Sequence, residues 1–161
     1  MQYEPAKTKP ELLRRWLIRV RESQFAHYEA ASILQKMNYA FGVPVVIIST
    51  IVGTSVFASL TNAENIDSSW KISIGMVSVL AAVLSGLQTF LGFSDRSQRH
   101  RVVAARYGII RRELEEVTAI NDSDVSQERI AKLRDAIDTL ALDAPNISRR
   151  LFLRTQKDQQ R

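Results

Sequence analysis

The chain has 161 residues, with 22 Lys and Arg against 17 Asp and Glu, a formal charge of +5 and a pI near 9.8. That length fits one modest unit, since domains usually run to about 100–200 residues. Cysteine is absent, which excludes disulfides, thiolate catalysis and Cys-based zinc sites. With only His27 and His100, a histidine-rich metal site is not expected, and no cofactor is predicted.

The mean hydropathy of −0.11 is that of a soluble protein, but the charges are unevenly spread. Residues Met37–Ala63 and Ile72–Ser94 form uncharged stretches of 27 and 23 residues. A membrane-spanning helix needs about 20 mostly apolar residues to cross about 30 Å of hydrocarbon. Both stretches satisfy that length, so the sequence predicts two transmembrane helices. The competing reading is a buried helical hairpin in a soluble bundle. Every other apolar pattern in the chain is amphipathic and leaves little to cover such a hairpin. A cleaved signal peptide fits poorly, because the apolar run starts late and a second span follows.

In chain order, Thr8-Lys-Pro-Glu11 resembles a capping box with proline in the first turn. Leu13, Trp16, Leu17 and Val20 then recur at helical spacing, followed by Gln24, His27, Tyr28 and Ala31. One long amphipathic helix is expected to feed into the first span, with Pro44 as a candidate kink. After the second span a helix is expected to continue without interruption to about Thr118, with Val103, Tyr107, Ile110, Leu114 and Val117 as its apolar stripe. Asn121-Asp-Ser-Asp124 reads as a turn. A further helix then runs from about Ser126 to Leu142, with Ile130, Leu133, Ile137 and Leu140 on one face, and Pro145 ends it. The basic tail from Arg149 is expected to be partly disordered. No strand pattern occurs.

The predicted architecture is therefore an all-α membrane protein: a two-transmembrane helical hairpin with long amphipathic cytoplasmic helices before and after it. The predicted segments are residues 1–36 (amphipathic arm), 37–63 (first span), 64–71 (extracytoplasmic loop), 72–94 (second span), 95–147 (cytoplasmic helices) and 148–161 (basic tail). Lys and Arg set the orientation. Seven lie in the first 36 residues and 14 beyond Ser94, while the connecting loop has only Lys71. Both termini are thus expected in the cytoplasm, with the short connecting loop outside. Trp70 and Tyr39 would sit at the two interfaces. Mixed charges on the arms, such as Glu113, Glu115 and Glu116 beside Arg111 and Arg112, favour protein-packing faces over lipid-surface ones.

On a helical wheel, Gly75, Ser78, Ala82, Ser85, Gly86 and Thr89 of the second span fall on one face, opposite Leu80, Leu84, Leu87 and Leu91. The first span repeats the theme with Ser49, Thr50, Gly53 and Thr54 opposite Ile48, Ile51, Val52 and Val56. Small residues let helix backbones approach closely where lipid offers no hydrophobic drive. These faces are candidate helix-packing surfaces or, if several hairpins assemble, a weakly polar pore lining. One hairpin cannot enclose water, so a pore implies a homo-oligomer. Gln88 is the strongly polar side chain of the second span and is expected to bond across helices. Arg96, Arg99 and Arg101 are candidate contacts for anionic lipid headgroups.

Neither span contains Asp, Glu, Lys, Arg or His, which argues against proton relays, coupled transport and intramembrane aspartyl proteolysis. No Gly-rich phosphate loop, paired-His motif or nucleophile elbow is present, so the chain is not expected to be an enzyme. Asp95 and His100 fall on different helical faces, and His27 reads as a packing or surface histidine. The basic excess flanks the spans instead of forming one patch with aromatics, so no nucleic-acid partner is expected. Two functional classes remain: a membrane effector that assembles, and a non-conducting anchor or scaffold that recruits a cytoplasmic partner.

Certain short elements carry a family likeness: Trp16, His27-Tyr28-Glu-Ala-Ala31, Asn38-Tyr39, Gly42-Val-Pro44, Ser49-Thr-Ile-Val-Gly-Thr54, Arg106-Tyr107 and Ala144-Pro145-Asn-Ile147. Over roughly residues 10–150 the chain resembles a SLATT-domain protein, one of the two-transmembrane effector domains of prokaryotic conflict systems. The resemblance implies a pore-forming membrane effector that kills or arrests an invaded cell. It also implies a trigger, either a separate sensor or nucleotide-signalling protein or a ligand sensed by the arms themselves.

Overall fold

A computed structural model describes residues 4–61, 68–119 and 126–159. It contains five helices and, among the described residues, no strand: α1 (Lys9–Thr61), α2 (Ser68–Leu91), α3 (Phe93–Ala119), α4 (Gln127–Asp143) and α5 (Arg149–Gln159). The all-α expectation holds. The predicted turn at residues 121–124 and half of the predicted loop, residues 64–67, lie outside the described residues, while residues 68–71, also expected in the loop, belong to α2.

Helix α1 opens much as the sequence suggests. The Glu11 amide donates to Thr8 Oγ1 at 3.4 Å, satisfying one of the amides that a helix start leaves without a partner. The Glu11 carboxylate reaches back to the Lys7 amide at 3.1 Å, one residue earlier than in a standard capping box. The arm and the first span belong to one continuous helix of 53 residues. Pro44 lies inside it without interrupting it. Spanning helices tolerate proline because neighbouring groups take up the freed carbonyl.

The expected uninterrupted helix after the second span is corrected by one residue. Gly92 has φ +53° and separates α2 from α3. A left-handed residue stops the helical ladder, and glycine adopts that conformation without the Cβ clash other residues meet. The Gly92 amide still donates to the Gln88 carbonyl, and its carbonyl accepts from the Arg96 amide, so the joint keeps its backbone bonds.

The chain divides into two compact units. The first comprises the described residues of Met1–Ser32 and Ser97–Arg161, and it holds the soluble core. Leu13, Val20, Val103, Tyr107, Ile110, Leu114, Val117, Leu133 and Leu140 are its buried cluster, with Trp16, Leu17, Ile130 and Ile137 packed against it. The predicted stripes of α1, α3 and α4 thus meet one another. Leu114, Val20 and Val117 are the largest side chains in it that are fully buried. Gly108 is buried where Gln24 crosses: a Cβ there would lie 2.8 Å from Gln24 Nε2, so the Gln24 amide would have to move to admit any other residue.

The basic tail from Arg149 forms α5 as far as Gln159. Ser148 starts it, its Oγ accepting from the Leu151 amide and its carbonyl from the Phe152 amide. Gln156 Nε2 donates to Glu22 Oε1 at 2.9 Å, tying α5 to α1 inside the first unit.

The second unit is Ile33–Arg96, which holds both uncharged stretches. Their most apolar windows have mean hydropathies of 1.8 and 1.9, and only 6% of each window is buried within the protein. Phe90 is 87% exposed and Met76 71%. A soluble protein does not leave such long apolar helices uncovered, because exposed patches of that size seek a partner or a membrane. The low burial counts against the soluble-bundle reading.

Candidate functional site

Within the second unit, partial burial traces the seam of the hairpin. On α1 it follows Phe41, Val45, Ile48, Val52 and Ser55, and on α2 Ile74, Ser78, Ala81, Leu84 and Gln88. Both series step by three or four residues, as a helix–helix contact requires. At one end the Phe41 and Phe93 rings stack with centroids 5.7 Å apart and an interplanar angle of 22°. Nearby, the Gln88 amide lies over Gly42, where a Cβ would come within 2.7 Å of Nε2. Gln88 therefore uses a missing side chain on the facing helix to sit in a mostly apolar seam.

This seam is not the one that small residues alone suggest. Ser49, Thr50, Gly53 and Thr54 are all exposed on α1. On α2, Gly75, Ala82, Ser85, Gly86 and Thr89 are exposed, and only Ser78 is half-buried. An added Cβ at Gly53, Gly75 or Gly86 would meet nothing within 4 Å. The hairpin closes on its branched apolar residues and leaves both small-residue faces open.

Four of the hydroxyls on these faces are satisfied by their own helix. Thr50 Oγ1 donates to the Val46 carbonyl, Thr54 to the Thr50 and Ile51 carbonyls, Ser78 to Ile74 and Thr89 to Ser85, at 2.8–3.1 Å. Such bonds to the preceding turn let Ser and Thr face hydrocarbon at little cost. Each oxygen keeps acceptor capacity, so the same faces can meet lipid, another helix or water. Arg96, Arg99 and Arg101 are exposed at the start of α3, beyond the apolar stretch.

The first unit contains a polar cluster that sequence reasoning did not assemble. His27 on α1 and His100 on α3 are 4% and 7% exposed, and their Nδ1 atoms lie 2.9 Å apart. One ring must donate and the other accept, so the contact requires at least one neutral imidazole. The Tyr107 ring stacks on His27 with centroids 5.7 Å apart. Ser97 Oγ, one turn before His100, donates to the Ala31 carbonyl at 2.8 Å, also in buried surroundings. Burial, reinforced by the proximity of His100, lowers the His27 pKa from 6.5 to about 4. Burial likewise raises the Tyr107 phenol, opposed by a hydrogen bond with Ser23. His27 is thus a neutral partner at pH 7 in a hydrogen-bonded joint between α1 and α3. The reading of His27 as a packing histidine agrees with its place, while the pairing of the two rings, 73 residues apart, was missed. Among the described residues, no group of three or more His, Asp or Glu side chains converges as a metal site would need.

The fold and faces define an all-helical two-span membrane protein in which two bare transmembrane helices carry a packed helical unit. The model of the SMODS and SLOG-associating 2TM effector domain family 4 matches residues 11–154, and the chain belongs to that family. No curated protein and no solved structure gives a significant match. Membership supports the two-span reading and the class of membrane effector.

Proposed function

We propose that this protein is an oligomeric, pore-forming effector of a prokaryotic antiviral conflict system, placed in the inner membrane with both termini in the cytoplasm. The observation that carries this reading is the pair of uncovered small-residue faces: Ser49, Thr50, Gly53 and Thr54 on α1, and Gly75, Ala82, Ser85, Gly86 and Thr89 on α2. Neither is used by the hairpin's own seam. Close backbone approach between copies through these glycines would assemble hairpins, and the hydroxyl-bearing face could then line a water-filled path. The helical arms would receive the trigger, from a separate sensor or nucleotide-signalling protein, and hold the assembly closed until it arrives. The absence of intramembrane charge suits passive leakage more than coupled transport. Membrane lipids contacting Arg96, Arg99 and Arg101 would fix the depth of the second span.

The test is substitution on the open faces. Gly53→Leu and Gly86→Leu place bulk where a single chain has free space, so the monomer should fold and insert normally. Cross-linking in membranes should show higher oligomers for the wild-type chain and their loss in both variants, together with loss of toxicity. Variants that assemble and kill as wild type does would remove these faces from the account. Grafting the arms onto an unrelated transmembrane hairpin separates the alternative of an anchor or scaffold: full activity in the graft would eliminate pore formation.

A further inference from the structure

Helices α3 and α4 of the first unit frame an open groove of about 510 Å³. Its apolar lining includes the half-exposed Ile109 and the buried Leu140, and its exposed carboxylates are Glu113, Asp135 and Asp143. Arg106 is the cation among its lining residues. Asp135 is ion-paired with the adjacent Arg134, whereas Glu113 and Asp143 reach no described cation. The groove thus combines apolar surface with negative charge that the chain itself leaves unpaired.

Helix α5 carries the complement. Its Phe152, Thr155 and Gln156 are half-buried, with Gln156 bonded to Glu22 of α1. Arg150, Leu153, Arg154 and Lys157 recur at i, i+3, i+4 and i+7 and are all exposed, so they form one outward stripe. The three cations of this stripe reach no described carboxylate, although Arg129, Lys132 and Arg134 of α4 are each ion-paired. At about 1.5 Å of rise per residue, the stripe from Arg150 to Lys157 is about 10 Å long and the row from Asp135 to Asp143 about 12 Å. The two rows match in length and oppose in charge.

We propose that α5 of one copy lies in the α3–α4 groove of the next, joining the first units head to tail. The cations of the stripe would meet Glu113 and Asp143, and Leu153 would settle on Ile109. Copies inserted in one membrane with a common orientation are related by rotation about its normal. A ring of more than two copies then joins two different surfaces of each chain. A groove and a separate complementary stripe meet that requirement, which a self-paired patch does not. Opposite charge also steers the two surfaces together and opposes other pairings. The inference rests on the assembly in the reading above, but on neither the glycine faces nor a pore.

The chain lacks cysteine, so introduced cysteines can trap the contact. Full-length Ile109→Cys and Leu153→Cys chains, tagged to differ in size, are co-expressed and their membranes oxidised. Both positions are exposed and lie midway along groove and stripe, so they meet whichever way α5 runs. Disulfide dimers should join one variant to the other, each variant alone should stay monomeric, and a chain with both cysteines should give a ladder of oligomers. Reversing the groove with Glu113→Lys and Asp143→Lys, or the stripe with Arg150→Glu and Arg154→Glu, should slow the mixed disulfide by about tenfold. Chains carrying both reversals should recover most of that rate. Equal dimer formation by one variant alone would make the interface self-paired, and a disulfide closed within the double-cysteine chain would put α5 in its own groove; either overturns the proposal. Charge reversals without effect, or without recovery when combined, would also overturn it. A mixed disulfide that persists in Gly86→Leu chains supports this surface whatever becomes of the glycine faces. Its absence from chains that still cross-link through their spans would overturn this surface and leave the assembly reading standing.

Discussion

His27 and His100 show what a contact can do when its partners are far apart in sequence and buried together. Below its ordinary pKa of 6.5 an unfolded histidine takes up a proton, whereas folded His27 resists protonation down to about 4. The unfolded state then binds more protons between those values, so the contribution is complete above pH 6.5 and is lost as pH falls toward 4. By pH 5 the loss should be about 2 kcal/mol, at about 1.4 kcal/mol per pH unit. Chemical denaturation of the detergent-solubilised chain at pH 7.5 and pH 5 should reveal it, and His27→Gln should flatten the difference. An unchanged pH dependence in that variant would place the sensitivity elsewhere. The two glutamines follow a second rule: Gln24 lies over Gly108 and Gln88 over Gly42, each using the space of an absent side chain. Nothing in a sequence pairs these residues, because helical phase gives the face of one helix but not its register against another.

At the scale of elements, the amphipathic stripes were legible. All five residues of the α3 stripe, Val103, Tyr107, Ile110, Leu114 and Val117, are buried, and Ser126 caps α4 by accepting from the Arg129 amide. Leu114 is fully enclosed, so Leu114→Ala should cost about 2–5 kcal/mol, seen as a lowered denaturation midpoint of the first unit. The break at Gly92 was not legible, since a lone glycine among good helix formers carries no stop signal of its own. Its positive φ implies a cost of about 1–2 kcal/mol for Gly92→Ala unless α2 and α3 fuse into one helix. A thermal midpoint equal to that of wild type would mean that the joint had rearranged. Helix α5 was obscured by its basic, polar composition, and its order rests on the Ser148 cap and the tie from Gln156 to Glu22. The small-residue faces of the spans were visible on a wheel, but which faces close the hairpin was not. Branched side chains at Ile48, Val52 and Ile74 contribute to that seam and leave the glycines outside it.

For the whole molecule, uneven charge was the decisive signal: uncharged spans flanked by cations on both sides and a nearly neutral connection between them. That pattern gave a two-span membrane protein, and family membership over residues 11–154 supports it. The first unit can pack on its own apolar stripes, whereas the second has little but its seam and needs lipid and, in this account, other copies. The most direct measurement is membrane potential and dye entry in cells during induced expression with the genomic neighbours present, comparing wild type with Gly86→Leu after both are shown to insert. The account predicts depolarisation and dye entry with wild type alone. An intact potential with fully inserted wild-type protein, or equal depolarisation by Gly86→Leu, would contradict it.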